Sequence, residues 1–85
     1  MTKKKGAIKM RRAVKICAQI KIGDAIEDTG TVTHVDQPDL SKWDGDERYY
    51  PQTGYFGSIH YKSDSGLHSA DPHLVKKKNG RWEVM

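Results

Sequence analysis

Residues 55–70 read Tyr55-Phe56-Gly57-Ser58-Ile59-His60-Tyr61-Lys62-Ser63-Asp64-Ser65-Gly66-Leu67-His68-Ser69-Ala70, and this stretch decides the fold. Tyr55, Gly57, Ile59 and Tyr61 alternate with Phe56, Ser58 and His60. That period of two sets successive side chains on opposite faces of a strand. Ser63-Asp64-Ser65-Gly66 is turn chemistry, so residues 67–70 return as a second strand. Toward the C-terminus, Asp71-Pro72 starts a tight turn, read as one turn of 3-10 helix through His73. Asn79-Gly80 follows, and both residues accept positive φ, as a two-residue type I′ turn requires. The resulting hairpin sets Val75 opposite Val84, Lys76 opposite Glu83, Lys77 opposite Trp82 and Lys78 opposite Arg81.

Toward the N-terminus lies a polar stretch from Asp36 to Thr53, with Pro38, Gly45 and Pro51. It is too long for a simple hairpin loop, which marks it as a candidate functional segment. Thr31-Val32-Thr33-His34-Val35 is a β-branched strand, and Gly23-Asp24 and Glu27-Asp28-Thr29-Gly30 are turns. Residues 14–22 are ambiguous. Val14, Ile16, Ala18, Ile20 and Ile22 alternate with Lys15, Cys17, Gln19 and Lys21, and the β-branched content favours a strand. A helix competes, because Met10, Val14, Cys17 and Lys21 fall on one helical stripe. Residues 1–12 show little periodicity and read as a flexible, disordered basic arm. The expected fold is therefore all-β: a small antiparallel barrel of five to six strands over residues 13–85, preceded by that arm. A bent barrel leaves few open edges for so short a chain.

Eighty-five residues, 35% hydrophobic, build one domain with a small core and no deep cleft between domains. Cys17 is the only cysteine, which rules out an internal disulfide, fits a reducing compartment and reads as a small core hydrophobe. Lysines open the chain, but no apolar run follows them. The expectation is a cytoplasmic protein without signal peptide or membrane span. Charge is uneven. Residues 1–15 hold seven Lys/Arg and no acid, residues 16–75 hold four against ten Asp/Glu, and residues 76–85 hold four against one. Basic ends around an acidic middle suggest interaction surfaces.

Lys21-Ile22-Gly23-Asp24-Ala25-Ile26 followed by Gly30-Thr31-Val32 resembles the opening of SH3-like small barrels of the KOW and Tudor type. Ile59-His60-Tyr61-Lys62-Ser63-Asp64-Ser65-Gly66 and the later Leu74 resemble the same barrels' third and fourth strands. The resemblance spans about residues 14–78 and implies the barrel. Glu27 and Asp28 depart from it, since RNA-binding KOW modules place basic residues in that turn. An aromatic cage of the Tudor kind would draw on Tyr49, Tyr50 and Tyr55.

Catalytic and metal chemistry find little purchase. His60, His68 and His73 are spaced by eight and five residues, without the compact His or Cys spacing of zinc sites. Cys17 with a histidine, or Asp44, Asp46 and Glu47 together, match no catalytic motif. The expectation is a non-enzymatic binding module with no cofactor, no metal and no small-molecule substrate. Its first candidate partner is nucleic acid, DNA or RNA, through phosphate contacts from Lys3, Lys4, Lys5, Lys9, Arg11, Arg12, Lys76, Lys77, Lys78 and Arg81. The alternative is a protein-interaction module or small inhibitor. It would use the acidic, aromatic loop 36–50, with Asp39, Trp43, Asp44, Asp46, Tyr49 and Tyr50 as contacts.

Overall fold

Lys, Arg, Ala, Met and Gln, all strong helix formers, dominate residues 2–19. A computed structural model describes residues 2–43 and 54–85 of the chain, with side chains from Ile8 onward. In it Thr2–Gln19 form one helix, α1. This corrects the strand expected over residues 14–22, and the expected arm boundary at residue 12 falls inside the helix. The reason is visible in what is buried. Met10, Ala13, Ile16, Cys17 and Ile20 recur at three- and four-residue spacing and are buried, while Val14, Ala18 and Ile22 of the supposed strand face are exposed.

Six strands follow: β1 (Ala25–Ile26), β2 (Gly30–Asp36), β3 (Ser58–Ser63), β4 (Gly66–Ala70), β5 (Val75–Lys78) and β6 (Arg81–Val84). A 3-10 turn, Pro72–Leu74, separates β4 from β5 as expected. The strands form one sheet in the order β4-β3-β2-β1-β6-β5, curled into a half-barrel with a single helix among the described residues. Four of the five pairings are antiparallel, and β1 runs parallel to β6 through Ile26 and Trp82. The β5–β6 hairpin has the register read from Asn79-Gly80, with Asn79 at φ 51° and Gly80 at φ 81°.

The core has two parts. Ile16, Cys17 and Ile20 of α1 meet Ile26, Val32, Ile59, Val75 and Trp82 of the sheet in one buried cluster. Met10 and Ala13 meet Phe56, with Trp43 and Tyr55 packed against them. Strand β3 starts at Ser58, later than its alternation suggests. Gly57 has φ 77° and shifts the phase, so Phe56 and Ile59 both turn inward.

Asp24 ties the pieces together. Its Oδ2 accepts hydrogen bonds from the Lys21 backbone N–H at 2.9 Å and from the Trp82 indole Nε1–H at 3.0 Å. The indole hydrogen bond, then the backbone one, lowers the Asp24 pKa below the ordinary carboxylate value. A carboxyl that ionises more readily when folded contributes fully above the unfolded value, about pH 4. That contribution is lost as pH falls through the lower folded value. The urea midpoint of the wild type therefore drops on acidification below about pH 4. Asp24→Asn starts from a lower plateau and shows a shallower drop, which equilibrium unfolding at a series of pH values measures.

Candidate binding surface

Helix α1 carries seven Lys/Arg and no acid. Lys3, Lys4 and Lys5 fall in its first turn. Arg12 points into the fold. Its Nε donates to the His73 carbonyl at 2.9 Å and its Nη2 to the Val75 carbonyl at 3.1 Å. It pins the helix to the 3-10 turn, a structural role that the sequence did not signal. Lys9 is half-buried, whereas Arg11 and Lys15 are exposed one turn apart. Both lie on the side of α1 opposite Ala13, Cys17 and Ile20.

The second basic group, at the β5–β6 hairpin, is largely occupied. Arg81 Nε donates to the Glu27 carbonyl at 2.6 Å and Nη2 to the Asp28 carbonyl at 3.0 Å. Arg81 stands opposite Lys78 in the hairpin, and both of its bonds run to the β1–β2 turn. Lys76 Nζ lies 3.7 Å from Glu83, and Lys77 Nζ lies 4.6 Å from the centre of the Trp82 ring. Trp82 is 1% exposed, which leaves no open face for stacking a base. Lys78 is exposed. Beside the hairpin is a cleft of about 310 Å³ whose lining includes Glu27, Asp28, Glu83, Tyr61 and His68. Its carboxylates set a field that opposes phosphate near the hairpin.

The histidines separate. His34 and His60, on paired strands, place Nε2 atoms 2.8 Å from the two carboxylate oxygens of Asp36. These hydrogen bonds, His60 first, lower the Asp36 pKa. His68 Nε2 lies 2.9 Å from both the Ser63 and Ser65 hydroxyls, and its ring stacks on Tyr61 at 5.0 Å. His73 is buried edge-on to Phe56. The sequence carried one signal for the first cluster: His34 and Asp36 are two apart on a strand and share a face. His60 joins them only through the β2–β3 pairing. Cys17 is 3% exposed, and burial, then Asp36, raises its thiol pKa to about 11. It is protonated at neutral pH and shielded within the core.

The long loop is described to Trp43. Asp39 accepts from the Ser41 hydroxyl at 2.6 Å within its own turn. Trp43 packs edge-on against Phe56 at 5.9 Å and helps cover the smaller core cluster. Asp44, Asp46, Tyr49 and Tyr50 lie outside the described residues. Between α1 and the loop is an apolar groove of about 420 Å³, lined by Met10, Val14, Leu40 and Trp43 with Arg11 and Lys15. Sequence reasoning passed over Leu40, the one aliphatic side chain between Asp36 and Thr53 apart from the prolines. No helix among the described residues is long and apolar enough to cross a membrane. Compared with known protein families, curated proteins and solved structures, the chain matches none.

Proposed function

We propose that this chain is a non-enzymatic binding module of the reducing cytoplasm that associates with nucleic acid through α1. The observation that carries the reading is a helix with seven cations and no acid, whose exposed Arg11 and Lys15 face away from the core. The half-barrel serves as the scaffold, and its strand order and 3-10 turn support an SH3-like reading of the KOW or Tudor type. The hairpin contributes little in this reading, because Arg81 and Lys76 are engaged and carboxylates stand beside them.

Contacts of this kind go to phosphates, so binding is weakly selective for sequence and steeply dependent on salt. With about five phosphates engaged, the logarithm of affinity falls against the logarithm of salt with a slope of roughly −4. Changing Lys3, Lys4, Lys5, Arg11 and Lys15 together to Ala flattens that slope, while Lys78→Ala moves it by at most about one. Titrations of labelled duplex and single-stranded DNA and RNA at several salt concentrations check this, and no binding at low salt refutes it. A protein partner is the second reading, favoured by the apolar groove beside the same helix.

A further inference from the structure

We infer that the groove between α1 and residues 40–43 docks an acidic segment of a partner protein that presents an apolar face. This goes beyond the nucleic-acid reading: Arg11 and Lys15 are common to both, and the apolar floor belongs to this one alone. The floor comes from Met10 and Val14 of α1 and from Leu40 and Trp43 of the loop. Leu40 is 56% exposed and Val14 37% exposed. A chain with so small a core would gain by burying both, yet it holds them at the surface on either side of one depression. Contiguous apolar surface of this kind marks interaction sites. Its volume of about 420 Å³ is enough for apolar side chains from one face of a short helix or strand.

Charge selects the occupant. Arg11 and Lys15 line the groove on the helix side, separated by one turn, or about 6 Å along the axis. A segment whose apolar anchors are flanked by carboxylates satisfies floor and rim together. Phosphate gains nothing from the apolar floor. A basic segment meets two like charges. A second copy of this chain would bring another +7 helix against the first, which disfavours self-association through α1. This reverses the polarity that the acidic loop alone suggests: the partner is acidic, and the loop contributes apolar contact through Leu40 and Trp43.

The test uses the full chain and a fluorescein-labelled amphipathic helix of Leu and Glu, followed by anisotropy, with the Leu/Lys counterpart as control. The expected result is saturable binding of the Glu peptide and none of the Lys peptide. Leu40→Asp and Val14→Asp each weaken it by about tenfold or more. Both positions are exposed, so circular dichroism should show the fold retained. Arg11→Glu with Lys15→Glu weakens the Glu peptide and admits the Lys peptide. Leu40→Asp leaves the salt slope for nucleic acid unchanged, so failure of one reading is distinguishable from failure of the other. The inference is overturned by no saturable binding, by equal binding of the two peptides, or by indifference to Leu40→Asp in a folded protein. It is also overturned if the chain forms a concentration-dependent dimer that Leu40→Asp dissolves, because the occupant is then a second copy.

Discussion

Trp82→Ala is expected to remove a large share of the chain's stability. Trp82 is among the largest fully buried side chains and joins α1, β1 and β6 in one cluster. Removing a buried aromatic costs about 3–5 kcal/mol through lost burial and the cavity left behind. The whole stability expected for a domain of this length is only about 4–13 kcal/mol. Two further losses add to the cavity. Asp24 loses the indole N–H that helps hold the end of α1 to the sheet, and Lys77 loses the ring beneath its ammonium. Trp82→Phe separates these effects. It keeps most of the apolar volume and loses the hydrogen bond, so it should remain folded with a cost of about 1–3 kcal/mol. Urea unfolding followed by far-ultraviolet circular dichroism measures both. A folded, cooperative Trp82→Ala protein of near wild-type midpoint would show that the cluster around Trp82 is not the centre of the core.

Gly57→Ala is expected to have the next largest effect, on a change of one methyl group. Gly57 has φ 77°, where an L-residue is disfavoured by roughly 1–2 kcal/mol. Its methyl would also fall inside contact distance of the Asp36 carbonyl oxygen and 3.1 Å from the Pro38 nitrogen. Both obstacles are backbone, so they yield only if the two ends of the long loop separate. That separation loosens Phe56, which is buried next to Met10 and Ala13. The combined cost should be about 3 kcal/mol or more, and the melting temperature should fall by about 12 °C or more. Gly80→Ala is the control. Gly80 also has positive φ, but nothing lies within 4 Å of the added methyl, so only the conformational penalty of about 1 kcal/mol applies. Equal melting temperatures for the two variants would show that the approach of Gly57 to Asp36 does not contribute to stability.

Local chemistry made part of the molecule legible. Asn79-Gly80 specified the β5–β6 register residue by residue, because a two-residue turn with positive φ at both positions aligns its strands in one way. Ser63–Gly66 gave the β3–β4 hairpin and Asp71-Pro72 the 3-10 turn for the same local reason. Residues 14–22 misled, since Ile16 and Ile20 fit both an alternating and a helical pattern. The decision for helix comes from Met10, Ala13 and Cys17 finding a surface to bury against, and that surface is made by residues far along the chain.

The candidate site divides in the same way. The sequence by itself determined the amount and location of charge: a basic N-terminal segment, an acidic middle and a basic hairpin. Coulombic character belongs to residues and survives any fold. Only the tertiary structure decided which cations are available. Arg12 and Arg81 look like Arg11 in sequence, yet each donates to two backbone carbonyls more than fifty residues away. Folding brings the carbonyls of a helix–turn contact and of a strand end within reach of these side chains, and a guanidinium fork suits such paired acceptors. The groove beside Arg11 and Lys15 is likewise a product of packing, because Leu40 and Trp43 line it together with Val14 only when residues 40–43 lie against α1.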